Sequence, residues 1–368
     1  MAYGSLAVDK IENSDGFTLG GSGASMKNRI INGNMTISQR WATSANTPVA
    51  GVTYTVDRWH LNLSQSSKVS FQQNAGSVSP PVGFKDYIGL TSTSAYSVVS
   101  GDYASLRQSI EGYNIADLDW GTANAKSITL SFWVRSSLTG TFGGTINNNG
   151  YLRSYPYTYT INSANTWEYK TVVIPGDTTG TWESTTSSGI HIGLGFGTGS
   201  AQVQPAGSWY NGTALGATGQ TNVLGTNGAT FYITGVQLEV GSTATSFDYR
   251  PYGTELALCQ RYFSTSSIGV PTDSFGGITA PVAGNNSAQA WGVGTFKVTM
   301  RATPTIVLYD GTGASGNVTQ IGIGNGIPAT SASYLTAAGF SFIERTSGNF
   351  NASAGYPVVA GFTASAEL

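Results

Sequence analysis

The fold is indicated most clearly by the stretch Ile128-Thr-Leu-Ser-Phe-Trp-Val-Arg135. Its apolar residues Ile128, Leu130, Phe132 and Val134 alternate with Thr129, Ser131, Trp133 and Arg135. Because successive side chains of a strand point to opposite faces, this pattern predicts a β-strand with one buried face and one mixed face. Trp133 and Arg135 are then expected on the face that points away from the core.

The same alternation recurs on both sides of this stretch, with turns rich in Gly, Asn, Ser and Thr between the segments. The clearest segments are Ala104 to Ile110, Tyr155 to Ile161, Trp167 to Val173, Ile190 to Phe196 and Phe231 to Val240. In the last of these the phase of the alternation changes at Gly235, which predicts a β-bulge. Short strands at this spacing without helices between them predict a jelly-roll β-sandwich over residues 29–250.

One stretch after this domain has a helical period. Leu256, Cys259 and Phe263 share a stripe at i, i+3 and i+7, which predicts a short connecting helix within residues 251–263. Residues 264–368 show strand patterns again, among them Thr305 to Tyr309 before an Asp-Gly turn. The predicted fold class is therefore all-β: a jelly-roll β-sandwich, a short helix and a second, smaller β-sandwich-like domain.

Composition excludes several classes of function. The 368 residues carry a formal net charge of −2, only 10% are charged, and 49 are Gly. Nucleic-acid binding needs a Lys/Arg footprint, and the chain has no basic run. A single Cys allows neither an intrachain disulfide nor a multi-Cys metal site, so we expect no metal and no cofactor. The first residues lack the pattern of a signal peptide and no apolar run approaches ~18 residues, so we expect synthesis in a host cytoplasm and no membrane insertion.

Few residues are suited to catalysis. The two histidines, His60 and His191, each lie in a strand-like segment, and no known nucleophile, phosphate-binding or zinc motif is present. Asp117 and Asp119 are the nearest approach to the carboxyl pair of a glycosidase, but a turn with solvated acids explains them equally well. We therefore expect no catalytic residues and no enzymatic activity.

Aromatic residues indicate binding. Sugars are bound through aromatic faces together with a few polar side chains. The candidates for glycan contact are Trp133 with Arg135, and Trp209 with Tyr210. The alternative is that outward aromatics form subunit contacts or a second layer of packing.

Residues 1–28 carry too few apolar side chains for a core of their own. Their short apolar set (Leu6, Val8, Ile11, Phe17 and Leu19) precedes a linker at Gly20-Gly-Ser-Gly23. Because ordering a segment costs roughly 1–2 kcal/mol of backbone entropy per residue, such an arm needs other chains to pack on. We expect it to be an N-terminal docking arm.

Several stretches resemble a module of bacteriophage tail-fibre proteins. They include Asn28-Arg-Ile-Ile-Asn-Gly-Asn-Met35, Leu106-Arg-Gln-Ser-Ile-Glu-Gly-Tyr-Asn114, Leu130-Ser-Phe-Trp-Val-Arg135, Phe231-Tyr-Ile-Thr-Gly-Val-Gln-Leu-Glu-Val-Gly241 and Arg250-Pro-Tyr-Gly-Thr-Glu-Leu-Ala-Leu-Cys-Gln-Arg-Tyr-Phe263. The strand pattern also resembles the jelly roll of carbohydrate-binding modules. Phe296-Lys-Val-Thr-Met-Arg-Ala-Thr-Pro-Thr305 is similar to the C-terminal domains of such fibres.

This resemblance implies a virion protein, a homotrimer whose arm docks on other tail or capsid proteins and whose body binds host surface glycan. Two alternatives remain open from the sequence. One is a capsid decoration, head-fibre or tail adaptor protein without receptor contact. The other is a free carbohydrate-binding protein or a glycan depolymerase.

Overall fold

The computed structural model describes residues 26–266, 278–282, 288–331, 335–351 and 356–368. The proposed arm residues Leu6, Val8, Ile11, Phe17 and Leu19 lie outside these described residues. The strands of the first domain are β1 (Gly51–Tyr54), β2 (Trp59–Leu63), β3 (Val69–Gln73), β4 (Ile88–Ser92), β5 (Tyr103–Glu111), β6 (Ile128–Ser136), β7 (Gly140–Asn148), β8 (Arg153–Ile161), β9 (Glu168–Ile174), β10 (Ser188–Thr198), β11 (Val203–Gln204), β12 (Tyr210–Asn211), β13 (Gly216–Ala217) and β14 (Thr230–Val240).

Two large sheets form the sandwich of the first domain, and β11 and β13 pair separately as a small parallel sheet. One has seven strands in the order β1-β2-β5-β10-β7-β8-β12, and the other has five in the order β3-β4-β14-β6-β9. Their inward side chains, such as Leu106 and Ile192 from one sheet and Phe132 and Phe231 from the other, pack into one buried cluster. The all-β sandwich predicted for this part of the chain is confirmed.

β6 lies inside the five-stranded sheet, between β14 and β9. Its predicted buried face is confirmed, because Ile128, Leu130, Phe132 and Val134 have no exposed surface. The register between β6 and β14 shifts between Thr234 and Gln237, and Gly235 has a φ of 62°. The β-bulge predicted at Gly235 is therefore confirmed.

The predicted helix is present as α1 (Tyr252–Gln260), but it is shorter than residues 251–263. Phe263 is not part of its stripe, since it begins a strand and pairs with Ser365. Tyr262 instead joins Cys259 in a small buried cluster with Ile31 and Ile37. The backbone pairing of Phe263 ends the helix earlier than the side-chain period indicates.

The second domain has a core of its own and is again built from strands. They are β15 (Phe263–Thr265), β16 (Ile278–Ala280), β17 (Gln289–Thr295), β18 (Thr305–Tyr309), β19 (Asn317–Gln320), β20 (Gly324–Ser331), β21 (Gly339–Arg345) and β22 (Val358–Ser365). β22 is the centre of this sheet and pairs with β15, β16, β18 and β19. The predicted strand from Thr305 to Tyr309 is confirmed.

Buried charges join the two domains. The fully buried side chain of Arg58 forms an ion pair with Glu367, and Arg40 binds the same carboxylate at 3.0 Å. Arg58 also donates to the carbonyl of Ser109 at 2.6 Å, and its guanidinium lies 3.5 Å from the ring centre of Tyr262. Removing one partner of such a pair leaves an uncompensated charge out of water.

Glu367→Gln is expected to lower the free energy of unfolding by roughly 3–5 kcal/mol, because it leaves the buried guanidinium of Arg58 without its counter-ion and leaves Arg40 only Asp57, at 3.9 Å. Urea denaturation of the full chain measures this. The matched control is Asp119→Asn, which removes a half-exposed ion pair with Lys126 at 3.4 Å. The control should cost less than about 1 kcal/mol. Equal losses of unfolding free energy in the two variants would contradict the role of Glu367 as a buried counter-ion.

Candidate functional site

A groove of about 590 Å³ crosses the outer face of the five-stranded sheet. It is lined mainly by aromatic side chains with a few small polar ones. The lining residues that define it are Phe84, Ser131, Trp133, Tyr169, Gly235, Thr245, Phe247 and Tyr249. The predicted glycan candidate Trp133 therefore lies in a cavity that the sequence pattern did not reveal.

The floor of the groove depends on the bulge glycine. A Cβ atom on Gly235 would lie 2.6 Å from Cζ of Phe84 and 3.1 Å from Cδ1 of Trp133. Its φ of 62° is also in the region that side chains disfavour. The glycine thus lets two rings from distant parts of the chain approach the same point of β14.

Two groups of rings form the sides. Trp133 of β6 is the register partner of Tyr169 of β9, and their ring centres are 5.4 Å apart with an interplanar angle of 50°. Opposite them, Phe84, Phe247 and Tyr249 form a triad with centre distances of 5.1, 5.7 and 4.9 Å. Tyr169 and Tyr249 remain exposed, so ring faces or edges are open to solvent.

Two buried polar side chains of β14 hold the second side in place. Glu239 accepts hydrogen bonds from the backbone N–H of Thr245 at 2.9 Å and from its hydroxyl at 2.6 Å. Gln237 accepts from the N–H of Asp248 at 2.8 Å and donates to the carbonyl of Ser246 at 3.3 Å. The segment that carries Phe247 and Tyr249 is therefore fixed to the sheet by side chains rather than by strand pairing.

Arg135 lies next to the groove but does not line it. Its Nε donates to the carbonyl of Asn165 at 3.0 Å, and its guanidinium lies 5.4 Å from the ring centre of Tyr232. Arg135 therefore shares the outward face of β6 with Trp133 but does not line the groove.

The two residues of the second predicted glycan site, Trp209 and Tyr210, have different environments. Trp209 is partly buried in a cluster with Trp120, Tyr155 and Trp182 at centre distances of 5.3, 5.1 and 5.5 Å. Its Nε1 donates to the carbonyl of Pro175. This is the second-layer packing that the sequence left as the alternative, and only Tyr210 is exposed at the edge strand β12.

The carboxylates weighed for catalysis form ion pairs. Asp117 binds Arg29 at 2.6 Å, and these hydrogen bonds lower the pKa of Asp117. Asp119 lies 3.4 Å from Lys126 on the surface. A general acid of a glycosidase needs a raised pKa, and Asp117 shows the opposite shift.

The groove is lined by aromatic and neutral polar side chains. The lining residues that the structure describes include no carboxylate, imidazole or thiol. Within the described ranges, no three His, Cys, Asp or Glu side chains converge to hold a metal ion. No helix in the same ranges is long and apolar enough to span a membrane.

Sequence reasoning found one wall of the groove and missed the other. Phe84 and Tyr249 lie in irregular segments, where no period marks a face. The alternation of Phe247 and Tyr249 in a polar stretch is the signal that could have indicated them. Nothing local to Phe84 indicates its place, because that depends on the bulge at Gly235.

No protein-family model matches the chain, and no curated protein matches it. Among solved structures, the enzymatically active domain of tailspike protein 4 of bacteriophage CBA120 is similar over 59% of this chain and 22% of its own, with 13% identity and a TM-score of 0.33. The chain thus spans less than a quarter of that tailspike chain.

Carbohydrate-binding modules also appear among the similar structures. The family 11 module of Clostridium thermocellum, in complex with a mixed-linked β-1,3-1,4 tetrasaccharide, aligns with 54% of this chain and 100% of its own at 15% identity and a TM-score of 0.27. The tandem family 22 modules of Paenibacillus barcinonensis Xyn10C cover 88% of this chain and 92% of their own at 8% identity and a TM-score of 0.24. None of the three reaches a TM-score of 0.5, so the function is inferred from the residues of this chain.

Both histidines are expected to stay neutral at moderately acidic pH. Burial, followed by the charge of Arg107, lowers the pKa of His60 to about 3 and that of His191 to about 4. The imidazole resonances should therefore not titrate between pH 5 and 8, as NMR of the folded chain can show. In urea both should titrate near their unperturbed pKa of about 6.5. The unfolded chain then binds more protons, so these two groups lower stability progressively as the pH falls below about 6.5. A folded-state midpoint near 6.5 would contradict their burial.

Proposed function

We propose that this protein binds carbohydrate in the groove on its five-stranded sheet and that it serves as the glycan-contacting part of a bacteriophage attachment protein. The observation that carries the proposal is the meeting of Trp133, Tyr169, Phe84 and Tyr249 around one open groove. The C–H faces of sugar rings pack on aromatic rings, and the small polar side chains of the lining can hydrogen-bond to sugar hydroxyls.

The form of the groove favours an extended chain as ligand. It lies on a sheet surface, and its rim includes the almost fully exposed Val82 and the exposed rings of Tyr169 and Tyr249. A polysaccharide can therefore lie along it without its ends entering the protein. The hydroxyls of Thr245 and Ser246 at the wall can supply hydrogen bonds, since sugar hydroxyls both donate and accept.

Binding without cleavage is part of the proposal. Hydrolysis of a glycosidic bond generally uses two carboxyl groups about 5–10 Å apart, and the lining contains none among its described residues. The candidates Asp117 and Asp119 are held in ion pairs outside the lining.

The place of action is inferred from the sequence. The stretches that resemble tail-fibre proteins support a virion location. We infer a homotrimer, with the N-terminal arm docked on other virion proteins. Asn28, at the end of the predicted arm, belongs instead to the first domain, since its amide donates to the carbonyl of Val236 at 3.2 Å. Three copies of one weak site raise avidity by multivalency without any new contact. A monomer in sedimentation of the full chain would contradict the trimer.

Trp133→Ala should weaken binding to bacterial surface polysaccharide by roughly 2- to 12-fold per site, since aromatic stacking contributes about 0.5–1.5 kcal/mol. The assay is a glycan array of purified lipopolysaccharides and capsular polysaccharides, followed by calorimetry with the strongest ligand. Tyr169→Ala, on the neighbouring strand β9, should likewise weaken polysaccharide binding.

The matched control is Tyr113→Ala, because Tyr113 is an exposed ring outside the groove. The affinity of the Tyr113→Ala variant for the polysaccharide should equal that of the unaltered chain. Size-exclusion chromatography of the bound polysaccharide should show an unchanged chain length after incubation. Equal affinity of Trp133→Ala and Tyr113→Ala would refute the groove as the site, and released oligosaccharides would refute binding without cleavage.

A further inference from the structure

A buried arginine lies on the outer face of the seven-stranded sheet, away from the groove. The side chain of Arg107 on β5 has no exposed surface. Its Nε donates to the hydroxyl of Ser105 at 2.7 Å, but among the described residues neither of its two Nη atoms makes a hydrogen bond of good geometry. The Tyr151 side chain lies close enough to oppose the lowering of the Arg107 pKa by burial, but no carboxylate of the described residues pairs with the four Nη N–H groups.

Among the described residues, no carboxylate forms an ion pair with Arg107. His60 is its register partner on β2, and within the same residues the buried Nδ1 of His60 has no hydrogen-bond partner. His191 on β10 shares a hydrogen bond of 2.8 Å with the hydroxyl of Ser109. Both imidazoles are neutral near pH 7, because burial and the charge of Arg107 lower their pKa values.

An aromatic ring covers this polar pocket. Tyr151 stacks on His191 with ring centres 4.7 Å apart and an interplanar angle of 11°. The guanidinium of Arg107 lies 5.2 Å from the centre of the same ring. Tyr151 belongs to the turn between β7 and β8, is itself only partly buried, and is followed by the exposed Leu152.

The backbone of this turn is held by contacts that do not involve the Tyr151 ring. Tyr151 has a φ of 59°, a conformation that costs a non-glycine residue about 1–2 kcal/mol. Its carbonyl accepts a hydrogen bond from the hydroxyl of Thr213 at 2.9 Å, and the carbonyl of Leu152 accepts from the N–H of Gly212. Rotation of the Tyr151 side chain about its own bonds would therefore leave these backbone contacts intact.

We propose that Arg107, His60 and Tyr151 form a second ligand site, which takes the carboxylate of an acidic sugar and is closed by the Tyr151 ring. A buried guanidinium without an acceptor is costly, and a carboxylate satisfies it with two parallel hydrogen bonds. The ring of Tyr151 then offers an aromatic face to the sugar itself. This site lies on the opposite sheet from the groove, so it does not depend on the function proposed for the groove.

The test is thermal unfolding of the full chain with sodium glucuronate, with glucose as the neutral analogue and sodium sulfate as the free oxyanion. Glucuronate at 20 mM should raise Tm by about 2 °C or more, glucose should not, and sulfate should raise it less. Glucuronate should also shift the imidazole NMR resonances of His60 and His191.

Arg107→Met should abolish the glucuronate shift while folding normally, because an unpaired buried charge is replaced by an apolar chain of similar length. Arg107→Lys keeps the charge but loses the paired donors, and should bind glucuronate at least about tenfold more weakly. Arg345→Met, in the second domain, is the control for a change of net charge and should respond as the unaltered chain does. Tyr151→Ala should bind glucuronate faster, as stopped-flow measurement can show.

Three results would overturn the proposal. They are a Tm unchanged by glucuronate, an equal rise in Arg107→Met, and a rise with sulfate that exceeds the rise with glucuronate. A failure here leaves the polysaccharide binding of the Trp133 groove unaffected, because that assay uses another sheet and other residues.

Discussion

The proposed binding groove depends on two polar side chains, Gln237 and Glu239, that are buried on the outward face of a strand. They hold residues 245–248 against the five-stranded sheet through hydrogen bonds to the backbone and the Thr245 hydroxyl. Without these acceptors and donors the segment would have no regular partner, since it belongs to no strand. The wall with Phe247 and Tyr249 is thus held by polar side-chain contacts. The wall with Trp133 and Tyr169 is held by the pairing of β6 and β9.

On the seven-stranded sheet, outward polar side chains also hold an irregular segment in place. Asn147 of β7 donates to the carbonyl of Ala214 at 2.9 Å, and the hydroxyl of Ser154 on β8 donates to the carbonyl of Gly212. These contacts bind a crossing segment over the sheet and bury its polar outer face. Arg107 differs from these neighbours, because it is equally buried and yet its two Nη atoms lack acceptors among the described residues. This contrast is why we assign it to a ligand rather than to the fold.

The strands and the bulge could be predicted from the sequence more completely than the residues of the groove. Alternation in β6 and the phase change at Gly235 depend on local burial, so both could be predicted. The end of α1 could not be predicted, because Phe263 pairs in a strand with Ser365, about a hundred residues away. Trp133 was found because it is outward on a regular strand, whereas Phe84 was missed because loop residues show no period. Trp209 stands in a polar stretch, yet distant tryptophans bury it.

The central claim is that sugar lies on the rings of the five-stranded sheet. The most direct measurement is a crystal structure of the full chain with an oligosaccharide cut from a polysaccharide that it binds. We predict a sugar ring packed on Trp133 or Tyr169, within about 4 Å, the contact distance of apolar groups, with the triad of Phe84, Phe247 and Tyr249 on the other side. An oligosaccharide found only on the second domain, or only at the edge strand near Tyr210, would contradict the account.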